Sequence, residues 1–143
     1  IVSFWWLYFG HIGAAGEHAF EQASEQTKLA RAGLAYAHGI MVCGAIVVAV
    51  GIEEMIAHPV DPAHLPAIII TTVGPLIFLV GNALFHLTVA RRIPAIFLLP
   101  LLALPAVGYA VHAAHAPSLV LGLGVLPTML VTALWPATRG QSE

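Results

Sequence analysis

Charged residues are scarce in this chain of 143 residues. Asp, Glu, Lys and Arg together make up 8% of it, whereas a soluble globular domain carries about 25%. A soluble fold of this size would lack the charge needed to cover its surface, so that class of protein is excluded. The net charge of -2 also provides no basic surface for nucleic acid, and we expect no nucleic-acid partner.

The sequence has a single cysteine and none of the common catalytic or nucleotide-binding motifs. Cys43 is the only cysteine, which excludes an intrachain disulfide, and its apolar neighbours predict a small buried hydrophobe. The sequence contains no phosphate-binding loop, no dinucleotide fingerprint and no nucleophile elbow. We therefore predict that the chain is not an enzyme and binds no cofactor.

Apolar residues are abundant instead, at 59% of the chain, with a mean hydropathy of +0.92. A membrane-spanning helix needs about 20 mostly apolar residues. Four stretches approach or exceed that length, at about 36–57, 65–90, 94–114 and 118–135. The joins between them are short, which favours antiparallel neighbours. The sequence predicts an all-α, polytopic transmembrane helical bundle, with a four-helix transmembrane region over residues 36–136.

The first nine residues, IVSFWWLYF, are also apolar and include an aromatic cluster typical of a membrane interface. They are too short to span a bilayer, and no basic residues precede them as in a signal peptide. We interpret residues 1–9 as the end of a fifth spanning helix. We expect the chain to be a fragment of a longer protein, or a chain whose N-terminus is processed.

The basic residues predict how the chain is oriented. They fall only on alternate joins, at Lys28, Arg31, Arg91, Arg92 and Arg139. The positive-inside rule then places the polar segment 10–33, residues 91–93 and the tail 137–143 in the cytoplasm, with 58–64 and 115–117 outside. We expect a multi-pass protein of the bacterial inner (plasma) membrane, surrounded by the lipid bilayer. Whether it forms a homo-oligomer stays open.

Glycine and proline interrupt the predicted spans. Gly74 and Gly81 in the second full span, and Gly122 and Gly124 in the fourth, offer surfaces for close helix approach. Prolines at 75, 100, 105 and 127 remove backbone donors and can kink a membrane helix. These residues serve helix packing alone, or the kinks open a polar cavity or a hinge.

Ionisable and polar residues inside membrane spans are expensive, and they are therefore the functional candidates. With alternating span directions, His38, Asn82 and His86 fall in the inner half of the membrane, where they could converge. Asn82 and His86 are four residues apart and share a helix face.

A second group falls near the outer end of the spans, where Tyr109, His112 and His115 lie at the depth of Glu53 and Glu54. Adjacent helical residues diverge by about 100°, so at most one of the two glutamates faces the bundle fully. We expect it to be Glu53, which continues the small-residue region from Gly44 to Gly51. Such groups could form a proton relay, an ion site or a metal site, or a polar pair that only holds helices together.

Two further clusters contain residue types that bind metals. His58, Asp61 and His64 lie within seven residues of the outer join, but that join is rich in proline and lacks a closed tetrahedral spacing. In the polar segment, Glu17, His18 and Glu21 have helical spacing. We interpret the first cluster as a stiff turn and the second as a solvated helix face, and predict no metal site.

Several landmarks together resemble the bacterial low-temperature-requirement A (LtrA) family of multi-pass membrane proteins. They are the box Trp5-Trp6-Leu7-Tyr8-Phe9, Tyr36 and His38, the run from Gly44 to Glu53, His58-Pro59, Gly74-Pro75, the run from Gly81 to Phe85, and Arg91-Arg92. An acidic residue commonly follows the aromatic box in the family, whereas Gly10 stands here. The resemblance implies a membrane location and a missing N-terminal half of the full-length protein as a partner of this chain, but no mechanism.

Two hypotheses for function follow. In the first, the protein is a proton- or ion-coupled transporter or channel that uses the intramembrane polar residues Glu53, His38, Asn82, His86, Tyr109 and His112. In the second, it is a non-catalytic membrane sensor or assembly protein in which those residues only pack helices.

Overall fold

The computed structural model describes Val2, residues 27–91, Ile93 and residues 95–139 of the chain. Apart from Val2, the predicted end of a fifth span at 1–9 and the polar segment up to residue 26 lie outside the described residues. Side chains are described from residue 33 to 88, at 91 and 93, and from 95 to 135.

Four α-helices form the described fold: α1 Thr27–Ala57, α2 Leu65–Ala90, α3 Leu98–Ala113 and α4 Ser118–Arg139. A short 3-10 turn at Ala95–Phe97 leads into α3. Each helix, with that turn counted with α3, includes a stretch long and apolar enough to cross a membrane, and the described residues contain no β-strand. The predicted all-α transmembrane class is confirmed.

α1 begins earlier than the apolar pattern indicates, at Thr27 rather than near Tyr36. Residues 27–32 are rich in Ala, Leu, Lys and Arg, which favour helix without being apolar as a group. The candidate span within α1 starts at Gly33. Hydropathy thus locates the part of the helix that meets lipid, while helix propensity extends it further.

α1 and α2 pack as an antiparallel pair with very close backbones. Gly44 and Gly51 are seven residues apart on α1, as are Gly74 and Gly81 on α2, and this period keeps each pair on one face. The opposed residues are Gly44 with Phe78, Gly51 with Thr71, Gly74 with Val48, and Gly81 with Met41. A Cβ added at Gly81 would lie 2.7 Å from the Met41 nitrogen, so only glycine permits this approach.

α2 is the central helix of the bundle. Half of its most apolar window is buried, against 17% for α1 and 28% for each of α3 and α4. Gly108 of α3 packs against Ile68 and Thr72 of α2, and α4 contacts both α1 and α3 through Gly122 and Gly124. The faces of α1, α3 and α4 that point away from α2 remain exposed and are largely apolar, as lipid-facing surfaces are.

Cys43 lies on such a surface. The prediction of a buried cysteine is wrong, because Cys43 is exposed. Its neighbour Gly44 occupies the face of α1 that packs on α2, and the next residue along a helix points about 100° away. α1 uses one narrow face for packing, so an apolar neighbourhood along the sequence does not imply burial.

The α1–α2 and α3–α4 joins are held together at one end of the bundle. Ala63 donates its backbone N–H to the Ala116 carbonyl at 3.0 Å, and Ser118 donates to the Asp61 carbonyl at 3.0 Å. Arg91 ends α2 at the opposite end. Both joins without basic residues are therefore at one end, which we call the outer end, and the Arg91 end is called the inner end.

Candidate functional site

At the outer end, one side chain connects α1 to α2. The Nε2 atom of His64 lies 2.8 Å from Oε1 of Glu54, and Nδ1 of the same ring accepts a 3.2 Å hydrogen bond from the Ala67 backbone N–H. Because Nδ1 accepts, the ring proton of a neutral imidazole is on Nε2, where it donates to the Glu54 carboxylate. The two hydrogen bonds together specify the tautomer of His64.

The chain brings these two residues together through a short, stiff join. The His58 N–H donates to the Glu54 carbonyl in the last turn of α1. Residues 58–64 then include prolines at 59 and 62, which restrict the return path. His64 occupies the N-cap of α2 in an extended conformation, and a proline follows in the first turn, where it needs no hydrogen-bond acceptor.

The environment of the pair is partly shielded. The Glu54 side chain is 33% exposed and the His64 side chain 54%. Within residues 33–135 the acidic residues are Glu53, Glu54 and Asp61, all at the outer end, while Arg91 is at the inner end. No described arginine or lysine within that range lies at the outer end to neutralise Glu54, and His64 is its hydrogen-bonding partner.

The expectation that Glu53 faces the bundle is wrong. Glu53 is exposed, whereas Glu54 is half-buried and bonded to the N-cap of α2. The reason is the register of the α1–α2 pair: the packed face runs through Gly44, Val48 and Gly51, and Glu54 follows Gly51 by three residues on that same face. Glu53 follows it by two and points elsewhere.

The outer join contains a second, separate pair. His58 Nδ1 lies 3.1 Å from Asp61 Oδ2, and both side chains are more than half exposed. His58 and His64 thus bond to different carboxylates rather than sharing Asp61 as a ligand. In the part of the chain that the structure describes, no group of three His, Cys, Asp or Glu side chains is placed to hold a metal ion.

The predicted aromatic and imidazole partners on α3 face away from this site. Tyr109 is 75% exposed and His112 is exposed too, while the buried residues of α3 include Leu104, Gly108 and Val111. Gly108 lies on the face of α3 that packs against α2, because its lack of a side chain lets the two helices approach closely. The ring of His112 lies 6.5 Å from that of His115. The imidazole beside Glu54 is therefore supplied by His64 and not by α3.

In the inner half, Asn82 is the most unusual residue. It is fully buried between α1 and α2, where its Nδ2 lies 4.0 Å from the Met41 sulfur. Its Oδ1 has no hydrogen-bond partner among the described residues. An unsatisfied buried acceptor of this kind lowers the free energy of unfolding by about 1–3 kcal/mol.

The two histidines predicted beside Asn82 have different surroundings. His86 is half-buried, and its ring meets that of Phe97 edge-on, with centroids 5.7 Å apart. His38 is exposed on α1, one turn before Met41. Asn82 and His86 thus contact α1 and the 3-10 turn before α3, respectively, and the convergence of all three residues stays a prediction.

Sequence reasoning missed His64 as a partner of Glu54. The sequence pattern groups His64 with His58 and Asp61, because these residues are neighbours along the chain. A signal for the correct partner was present: a histidine directly before a Leu-Pro start of an apolar helix is in an N-cap position. In this chain the N-cap of α2 lies beside the last turn of α1, which brings His64 to Glu54.

Comparison with known proteins adds a family. The family model described as bacterial low temperature requirement A protein (LtrA) matches residues 1–134 of the chain. No curated protein and no solved structure matches significantly. The match covers nearly the whole sequence, and four described helices are long and apolar enough to cross a membrane. The chain is thus a multi-pass integral membrane protein that belongs to the LtrA family.

Proposed function

We propose that the protein is a proton-coupled carrier or channel, in which Glu54 and His64 form the proton-accepting pair at the outer end. The observation that supports this proposal is the 2.8 Å contact between the two side chains where α1 ends and α2 begins. A carboxylate and an imidazole in contact exchange a proton readily, and histidine is the side chain whose charge changes most easily near neutral pH.

Proton binding at this pair is linked to the backbone. A proton added to His64 must occupy Nδ1, since Nε2 already carries one toward Glu54. Nδ1 then ceases to accept from the Ala67 N–H, and the first turn of α2 loses its cap. The imidazolium at the same time forms a stronger, charge-assisted bond to Glu54. Protonation therefore exchanges a helix cap for an ion pair, which gives the two protonation states different preferred geometries.

The inner half of the proposed path contains Asn82, with His86 one turn further along α2. The unpartnered Oδ1 of Asn82 is an acceptor inside an otherwise apolar core, where polar groups commonly mark ion or proton pathways. In this proposal Glu54 takes the role expected of Glu53, and His64 the role expected of His112. Water molecules held inside the protein between the Glu54–His64 pair and Asn82 would complete the path.

A second candidate function is a non-catalytic sensor or assembly protein. It is favoured by one observation: Tyr109 and His112 face outward, so α3 contributes no polar group to the site at Glu54. The Glu54–His64 contact would then serve only to hold two helix ends together, as interhelical hydrogen bonds do in membranes. The two functions differ in whether the intact protein moves protons.

Dissipation of a pH gradient in liposomes that contain the intact protein tests the proposal. We expect Glu54→Gln to lower the proton flux on the order of 100-fold, since a positioned proton-transfer group contributes about that much to a rate. Glu53→Gln is the matched control, because it removes the adjacent, exposed carboxylate; its flux should remain near that of the unmodified protein. Both variants carry the same change in net charge.

His64→Asn separates proton handling from helix capping. Asparagine is a strong N-cap residue, so this variant retains an acceptor for the first turn of α2 while removing the imidazole. We expect it to keep the thermal stability of the unmodified protein and to lose flux. Full flux in a folded His64→Asn or Glu54→Gln protein would refute the proposal. Absence of flux in the folded, unmodified protein at every pH would favour the sensor or assembly role.

A further inference from the structure

An apolar groove lies at the inner end of the bundle, between α2 and the segment that leads into α3. Its volume is about 530 Å³, within the range of about 300–1,000 Å³ typical of small-molecule sites. Its lining residues are all apolar and include Leu76, Val80 and Ala83 of α2, and Ile93, Phe97 and Leu101 beyond it. The groove is open on one side, and Val80 is 54% exposed there.

A basic residue lies close along the chain to the residues that line this groove. Arg91 ends α2 in the left-handed conformation, with φ of 55°, and its exposed side chain is two residues from Ile93 of the lining. Among the described residues, no acidic side chain pairs with Arg91, since Glu53, Glu54 and Asp61 are all at the outer end. The inner end therefore has both an accessible positive charge and an apolar groove.

We propose that this groove binds an anionic phospholipid, whose phosphate pairs with Arg91 and whose acyl chain occupies the apolar lining. The guanidinium group binds phosphate with two parallel hydrogen bonds, which favours arginine at such sites. Basic residues at the cytoplasmic ends of membrane helices attract anionic lipids, and basic pockets between helices bind their head groups. An anionic phospholipid thus matches both the positive charge of Arg91 and the apolar lining of the groove, and such lipids are present in the membrane around the protein.

Two other occupants match less well. The segment 10–26 of this chain includes three glutamates, and their charge does not match the apolar lining of the groove. A second copy of the chain would bring apolar helix surface but no described acidic group at the inner end. An acyl chain with an anionic head group satisfies both parts of the site at once.

Lipid binding to the intact protein, measured by native mass spectrometry after delipidation, tests this proposal. The probes are phosphatidylglycerol, which is anionic, and phosphatidylcholine of the same acyl composition, which is zwitterionic. We expect phosphatidylglycerol to bind more tightly, and Arg91→Gln to weaken its binding about tenfold, as the loss of one charge-assisted bond implies. Arg139→Gln, which makes the same change in net charge at the last residue of α4, is the control and should change binding little.

Filling the groove tests the acyl-chain part separately. Val80→Phe adds bulk at an exposed lining residue, and we expect it to weaken binding of both lipids. Leu102→Phe adds the same kind of bulk at an exposed α3 residue outside the lining and should leave binding unchanged. Equal binding of the two lipids, or undiminished phosphatidylglycerol binding by folded Arg91→Gln or Val80→Phe protein, would overturn the proposal. Loss of a dimer in Val80→Phe with lipid binding retained would assign the groove to a second copy and overturn it equally.

Discussion

Replacing Gly44 by alanine should force α1 and α2 apart. A Cβ at Gly44 would lie 2.7 Å from Phe78 Cα and would contact the Phe78 nitrogen still more closely. Non-bonded carbon atoms are most stable at about 3.5–4.0 Å, so the helices would have to separate by about 1 Å. Because Gly51, Gly74 and Gly81 maintain the same close approach, that shift would loosen the packing along the whole pair.

Overpacking of this kind costs about 1–3 kcal/mol, while glycine to alanine in a helix gains about 1 kcal/mol from propensity. Gly39→Ala measures the gain from helix propensity alone. It lies on the same helix, is exposed, and has no atom within 4 Å of an added Cβ. The difference in unfolding free energy between the two variants should therefore be about 1–3 kcal/mol, with Gly39→Ala the more stable.

Thermal unfolding of the intact protein in one detergent measures this difference. For a protein of about this size, each kcal/mol shifts the melting temperature by about 2–4 °C. We expect Gly39→Ala to melt at or above the unmodified protein and Gly44→Ala to melt several degrees below Gly39→Ala. Equal melting temperatures for the two variants would refute the close glycine packing of α1 on α2.

Three further outcomes are expected. His64→Ala should destabilise the protein by about 1 kcal/mol relative to His64→Asn, because alanine cannot cap α2; equal melting temperatures would contradict the cap. His64→Ala should also speed hydrogen exchange of the Ala67 amide, since no side-chain acceptor remains for it, whereas His64→Asn should keep that exchange slow; equal exchange rates in the two variants would contradict the hydrogen bond to His64. Asn82→Leu should leave stability unchanged or raise it by about 1–3 kcal/mol, as removal of an unsatisfied acceptor implies, whereas marked destabilisation would show that Oδ1 is satisfied by water or an unidentified group.

The sequence predicts the fold class well because bilayer thickness imposes one strong rule. A helix must be about 20 apolar residues long to cross, and each of the four stretches recognised by that rule corresponds to a helix. The rule says little about ends. It missed the extension of α1 to Thr27, which follows helix propensity, and the 3-10 turn at Ala95–Phe97.

The sequence does not predict in which direction individual side chains point from the helices. Composition and membrane depth do not distinguish Glu53 from Glu54. The register of α1 on α2 determines which of the two side chains faces α2. That register is determined by the glycines at 44, 51, 74 and 81, whose sevenfold spacing is visible in the sequence but whose partners are not. Cys43 was misjudged for the same reason, since in a membrane an apolar neighbourhood is found on the exposed faces as well as in the core.

The central claim, that Glu54 and His64 handle protons at the outer end, is tested most directly by the ratio of proton fluxes of Glu54→Gln and Glu53→Gln in matched liposomes. The account predicts a ratio on the order of 1:100, with both variants folded and equally abundant in the vesicles. Equal fluxes in the two variants would contradict it and would leave the Glu54–His64 contact as a connection between two helix ends.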